Sequence, residues 1–477
     1  MASRTLPFVP CLATVIAIAA CSTVPYSPRP LEPEATASAF IARSGDGDGV
    51  KRFVTANGYA ADAWPPQQWG LKELTLVALY FHADIRTARA RAEIAHAESG
   101  SAAQTQSLSG RLKPEYHSRN LPDTTGPWTL GLELEIPLVA QGRRAARAER
   151  SAFLADAADL DVAIAAWTVR SRVRDRYLEL QSSRDALQLL EAQLVARKDM
   201  LGLVNRRVEA GMLSARELGA ERVAYSQLEL LRSRELARQQ RARGELAAAL
   251  GLSLEVIERM QLIFDADVSP RTDLDAGALR GMALRNRLDV HRKLLEFAAA
   301  DAGVKVAVAA QNPDITLGPG YTWDQGDNIW SLAVGLSLPP AARARASIRE
   351  AQARRELAAE QFEATQAEVI SLAERAGAQY RLARDGMTAA EHQLRDQQEQ
   401  ESRVTRQFDT GAADRMQRVA ARIDTLASET LLQSALVDGR EALAHLEDAV
   451  QRPLLGDFDV LPDVGDSRSA TVTDGAR

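Results

Sequence analysis

Apolar and polar residues alternate strictly along Trp128-Thr129-Leu130-Gly131-Leu132-Glu133-Leu134-Glu135-Ile136-Pro137. A period of two puts Leu130, Leu132, Leu134 and Ile136 on one face and Thr129, Gly131, Glu133 and Glu135 on the other. The pattern returns at an offset of 202 as Trp330-Ser331-Leu332-Ala333-Val334-Gly335-Leu336-Ser337-Leu338-Pro339, with Leu332, Val334, Leu336 and Leu338 in phase. The shared Trp, alternation and closing Pro mark an internal duplication. A soluble sheet buried by one face alternates in the same way. Here, however, each strand is followed by a long Ala- and Arg-rich helical segment and not by further strands, so a bilayer-facing strand is expected. Another strand precedes each one, weakly patterned at Leu112–Tyr116 and alternating again at Ile315–Trp323, where Tyr321 and Trp323 sit where an interfacial aromatic girdle would. With the polar turn Asp324-Gln325-Gly326-Asp327-Asn328, each half contributes one hairpin.

Helical periodicity fills the rest. A helix is predicted from Leu71 to about Ser107, and Leu74, Ala78 and Leu79 recur as Leu279, Ala283 and Leu284, whose helix runs to about Ala310. From about Gly142 to Val208 no Pro interrupts the pattern, giving a helix on the order of 100 Å long. Val173, Tyr177, Leu180, Leu187, Leu190, Leu194, Leu201, Val204 and Val208 form a coiled-coil seam. Val369, Leu372, Tyr380, Met387, Leu394, Val404 and Phe408 continue it in the second half. Both long helices end at a Gly turn, Gly211 and Gly411, after which Ser214 and Asp414 can cap helices returning to about Leu250 and Val450. The expected organisation is a first repeat over 71–264, a joining segment over 265–275, a second repeat over 276–455 and a disordered polar tail over 456–477.

The amino terminus has a different character. Residues 1–20 carry Arg4 and the apolar run Leu12–Ala20, too short to span a bilayer and shaped like a secretory signal. Ile18-Ala19-Ala20-Cys21 resembles the bacterial lipobox, which makes Cys21 the expected lipidation site. Pro25, Pro28, Pro30 and Pro33 suggest an extended spacer, and Ser44–Gly49 a flexible break, so 21–70 is expected to be anchor and linker. Asp46 and Asp48 lack the further ligands of a calcium loop. With Cys11 in the signal, the mature chain keeps one thiol and no internal disulfide. A single anchor binds membranes marginally, so a second membrane contact is expected from the strands.

Composition narrows the function classes. Aromatic residues make up 5% of the chain, few for several large globular cores. The 58 basic and 64 acidic residues are interspersed, unlike a nucleic-acid footprint. His82, His96, His117, His291, His392 and His445 show no metal-ligand spacing, and no Gly-rich phosphate loop precedes a helix, so neither a cofactor nor catalysis is expected.

The order of lipobox, helix, hairpin, very long helix, Gly turn and returning helix, with all but the lipobox repeated, resembles the TolC-like outer-membrane efflux channel family over about Leu71–Val450. The lipobox matches its lipoprotein branch. The resemblance implies a mainly α protein with a small transmembrane β part: four strands per protomer in a trimeric 12-stranded barrel, and coiled-coil helices forming an α-helical barrel across the periplasm. It implies a homotrimer in outer-membrane lipid, a periplasmic adaptor docking at the tips, an inner-membrane pump reached through it, and no nucleic acid. Arg207, Gly211, Leu213, Ser214, Glu217, Gly411 and Asp414 would form the docking tips. Glu133 and Glu135 would give a cation-tolerant lumen. Gln417 and Ala420 stand where some members place an aspartate ring, and Phe408 replaces a gating tyrosine, so the resemblance does not supply the way the periplasmic end closes. A lipid-anchored periplasmic scaffold without a channel is the alternative. It explains the helices but not four alternating segments.

Overall fold

The computed structural model describes residues 26–104, 107–118, 126–138, 141–264 and 275–454. The expected signal segment, Cys21, residues 265–274 and the tail over 456–477 lie outside the described residues. The chain divides into a unit ending at Arg43 and one beginning at Ser44. In the first, Pro33 opens α1 (Pro33–Ile41), where its missing N–H costs no hydrogen bond, and every residue of the helix is exposed.

In the second unit, residues expected to be linker are folded. Asp48 opens α2 (Asp48–Ala56), which buries Val50 and Val54. Trp64 and Trp69 meet edge-on at 5.4 Å, and the Trp64 indole N–H donates to the Gly45 carbonyl at 3.1 Å. These apolar side chains belong to the same core as Leu74, Leu76, Leu79 and Ile85. Burying them outweighs the flexibility that the Gly-Asp run confers locally.

The first predicted helix is two: α3 (Leu71–Phe81) and α4 (Ala83–Ala102), parted at His82, whose extended backbone lets Nδ1 accept from the Asp84 N–H at 3.2 Å. Then come β1 (Ser109–Tyr116), β2 (Trp128–Leu138), the long α5 (Gln141–Glu209), the returning α6 (Ala215–Leu250) and the short α7 (Leu254–Arg259). The second repeat follows suit, with α8 (Ala276–Asn286), α9 (Leu288–Ala309), β3 (Asp314–Asp324), β4 (Asp327–Ser337), α10 (Ala341–Asp409) and α11 (Arg415–Val450). It breaks at Arg287 in the same extended conformation. The duplication is numerical as well: α5 and α10 have 69 residues each, α6 and α11 have 36 each.

Each repeat has its own core where α3 or α8 meets the middle of its long helix. Leu74, Ala78, Val173 and Tyr177 with Leu246 and Leu250 fill the first. Leu279, Ala283, Val369 and Tyr380 with Leu443, Leu446 and Val450 fill the second. The repeats are joined by the sheet, whose order is β1-β2-β3-β4 with every neighbour antiparallel.

Candidate channel wall and helical tips

Register decides which side chains share a face, because residues directly paired across an antiparallel ladder project to the same side. Leu112, Leu132, Tyr321 and Trp330 make one such row. Apart from Asn328 beside the turn, the large side chains of this face are apolar: Leu112, Pro114 and Tyr116 from β1, Trp128 to Leu138 from β2, Ile315 to Trp323 from β3 and Trp330 to Leu336 from β4. Much of it meets solvent in the single chain, with Trp330 79% and Leu332 68% exposed. Aromatic pairs gather toward one end, Tyr116 with Trp128 at 5.1 Å and Tyr321 with Trp330 at 4.8 Å. All eight apolar strand residues singled out from sequence fall on this side by parity, Leu338 one residue beyond β4.

The opposite face is polar and uneven. Glu133 is not a lone carboxylate, since Arg111 across the ladder donates to it at 3.5 Å, and Glu135 accepts from Ser109 at 3.4 Å. The acidic face expected from β2 alone is therefore partly neutralised by β1. Gly318, Gly320, Ser331, Ala333 and Gly335 leave the middle of the β3–β4 hairpin uncharged on this side.

At the far ends of the long helices the chain makes two matching turns. The Gly211 N–H donates to Val208 O and that of Met212 to Arg207 O. In the second repeat Gly411 donates to Phe408 O and Ala412 to Gln407 O. Both glycines are left-handed, with φ of 72° and 79°. Ser214 with Glu217 and Asp414 with Gln417 form reciprocal capping boxes. Hydrogen bonds from Ser214 hold the Glu217 carboxyl below its usual range. Those from the Gln417 backbone and then Arg207 do the same for Asp414.

The structure brings the two tips together. Arg207 donates to Asp414 at 2.7 Å and Arg415 to Asp199 at 2.8 Å, while Met200, Val204 and Val419 are buried between them with Leu213 packed alongside. Gln417 is a capping residue here, Ala420 packs on the same apolar cluster, and Phe408 lies 4.1 Å beneath the Arg418 guanidinium. The expected tip residues thus form one surface, with Gly211 and Gly411 both exposed on it.

One group escaped sequence reasoning. Where α5 meets the end of α11, Arg170 holds Glu447 through two bonds of 3.0 and 3.1 Å, and Arg174 reaches Glu447 at 2.9 Å and Asp448 at 2.7 Å. Trp167 and Ser171 also donate to Asp448, and the Leu454 N–H donates to Glu447. Arg170, Arg174 and Glu447 are almost wholly buried. Burial alone would lower the Arg174 pKa, but Asp448, Asp175 and Glu447 outweigh it and raise it. Burial would likewise raise Asp448, but Arg174 holds it below the usual carboxylate range. The only hint in the sequence is a four-residue Arg spacing on the face that carries Val173 and Tyr177.

The pattern of the family described as outer membrane efflux protein matches residues 78–252 and 279–450. The pyoverdine export outer membrane protein OpmQ of Pseudomonas putida is 29% identical over 387 residues, 76% of this chain and 78% of that protein. Among solved structures, the outer membrane protein VceC of Vibrio cholerae superposes with a TM-score of 0.64 at 18% identity, covering 80% of this chain and 95% of that one. CusC gives 0.66 at 19% identity, covering 89% and 98%. The MtrE outer membrane channel of Neisseria gonorrhoeae, in its open state, gives 0.63 at 17% identity, covering 80% and 88%. The two matched ranges fall one on each repeat, and the chain belongs to the outer membrane efflux protein family, the outer-membrane channels of tripartite efflux systems.

Proposed function

We propose that three copies of this outer-membrane efflux channel close their sheets into one 12-stranded barrel, with the apolar face toward lipid and the polar face lining the lumen. The observation that carries this is the exposed apolar face on a sheet of four strands whose outer members, β1 and β4, each have one unpaired edge. Lipid can satisfy neither edge, and closure with further copies removes both. The joined tips around Gly211 and Gly411 dock a periplasmic adaptor that connects to an inner-membrane pump, and Cys21 carries the lipid anchor. The helices line a passive conduit between pump and outer surface. The naming of one relative for pyoverdine export supports a secreted small molecule as the cargo to test first.

The test is assembly. Heat-modifiable migration of a detergent-extracted trimer is expected, together with its loss in Leu132→Arg and Leu336→Arg, each costing about 2–4 kcal/mol near the bilayer midplane. Glu133→Gln, on the opposite face, assembles normally and alters ion selectivity. A protein that never shows a heat-modifiable form is a scaffold without a barrel, and equal assembly defects at Leu132 and Glu133 contradict the assigned faces.

A further inference from the structure

Basic residues gather where each β-hairpin gives way to its long helix. Residues 141–150 hold four arginines and one glutamate, and residues 341–349 hold three arginines and no acid, in a chain whose charges otherwise nearly balance. Part of this charge is structural: Arg143 is buried and bonded to Asp314 at 2.9 Å and to the Asn312 carbonyl, pinning α5 to the base of β3. Glu149, the one acid, is taken by Lys305 at 2.7 Å. Of the six that remain, Arg150 lies farthest along α5 with its side chain beside Gly303 of α9, which leaves Arg144, Arg147, Arg343, Arg345 and Arg349, none of which forms an ion pair among the described residues. Arg147 and the three on α10 are exposed.

Their height above the sheet is fixed by the chain. The apolar face ends at Leu138 and Leu338, α5 and α10 begin three residues later in each case, and at ~1.5 Å per residue the five arginines lie within roughly 12 Å of the first residues of these helices. The headgroup layer of a bilayer is about 5–8 Å thick beyond its hydrocarbon, and an arginine side chain spans several more ångströms. Arg343 and Arg345, two residues apart, leave α10 on nearly opposite sides, whereas Arg345 and Arg349 share one side, as do Arg144 and Arg147 on α5. Whichever side of the wall faces outward therefore presents a guanidinium at the membrane boundary. A guanidinium matches phosphate with paired N–H donors and is weakly hydrated, so it keeps that contact in a partly dry layer.

We propose that these arginines form a collar that binds the anionic phospholipid headgroups of the periplasmic leaflet and fixes the depth of the barrel. The inference rests on the barrel reading, since it takes the helix-bearing end of the sheet as the periplasmic one. It gives the channel a second, charge-based hold on the membrane beside the apolar face.

The full-length protein is reconstituted into nanodiscs of phosphatidylcholine with a minor fraction of phosphatidylglycerol, and heat-modifiable trimer is measured first. The lipid that stays with the trimer through a detergent wash is then quantified by mass spectrometry. Wild type is expected to retain phosphatidylglycerol in excess of its bulk fraction, by about fivefold for each arginine in contact. The variant Arg144→Gln, Arg147→Gln, Arg343→Gln, Arg345→Gln, Arg349→Gln should retain the two lipids at their bulk ratio, while lysine at the same five positions restores most of the excess. Arg234→Gln with Arg384→Gln, exposed arginines on the returning and long helices away from the junctions, should change nothing. A trimer with no phosphatidylglycerol excess, or a glutamine variant that keeps it, overturns the collar and leaves the barrel standing. A glutamine variant that alters ion selectivity with lipid retention unchanged places the arginines in the lumen and also overturns it. Absence of a heat-modifiable trimer defeats the barrel reading and the collar together.

Discussion

At the scale of single residues, the buried cluster of Arg170, Arg174, Glu447 and Asp448 carries the largest stakes. Replacing Glu447 with glutamine leaves two guanidinium groups buried with one fewer anion, a change that typically costs about 3–5 kcal/mol. The expected result is a marked drop in the unfolding midpoint of the purified channel. Arg354→Gln, which removes an exposed helical pair with Glu350, should fall within about 1 kcal/mol of wild type. Asp448 adds a pH dependence. Its folded-state pKa lies below the unfolded value, so its stabilisation is complete above the ordinary carboxylate range and fades as pH falls through the lowered folded value. Wild type should therefore lose more thermal stability than Asp448→Asn on acidification below about pH 4. Equal losses in thermal melts across that interval would assign the acid sensitivity to other carboxylates.

At the scale of elements, the two Gly turns set the length of the coiled-coil hairpins. A Cβ added at Gly211 or Gly411 meets nothing within 4 Å, so the penalty for alanine there comes from the left-handed backbone and not from crowding, about 1–2 kcal/mol. Neither turn touches the sheet, and α5 separates Gly211 from β2 by on the order of 100 Å. Gly211→Trp and Gly411→Trp are accordingly expected to preserve trimer abundance and membrane insertion while abolishing export and crosslinking to the adaptor. Leu154→Trp, on the exposed wall of α5, is the comparison and should export normally. Tip variants that export and crosslink like wild type would remove these turns from the docking surface.

For the whole molecule, two of the proposed contributions to outer-membrane attachment reach the hydrocarbon, lipid on Cys21 and insertion of the strands, and the arginine collar adds a contact with the headgroups. Cys21→Ala should abolish incorporation of a labelled fatty-acid analogue while part of the protein still fractionates with membranes, because the apolar sheet face remains. Undiminished labelling would exclude this cysteine. Joining the alanine change to Leu132→Arg should release most of the chain to the soluble fraction, and undiminished membrane binding of the double variant would show that neither contact is needed for attachment.

The sequence by itself determined what is local and repeated. The period of two in Trp128–Pro137 and Trp330–Pro339 named β2 and β4 and their apolar sides, and the uninterrupted seam from Val173 to Val208 named α5, because these patterns follow from backbone geometry within a few residues. Gly211 and Gly411 were legible for the same reason, since few other residues take a left-handed φ cheaply. What only the tertiary structure decided depends on partners distant in the chain. Nothing in the alternation of β2 says that its neighbour is β3 of the other repeat, or that register sets Arg111 beside Glu133. The packing of Val50 and Trp69 into the first core needed the surfaces of α3, and Arg170 and Glu447 stand 277 residues apart. Periodicity tells a residue which way to face, whereas the identity of what it meets is fixed only when separate elements pack. A charge read from sequence therefore looks solvated until its buried counter-charge is in place.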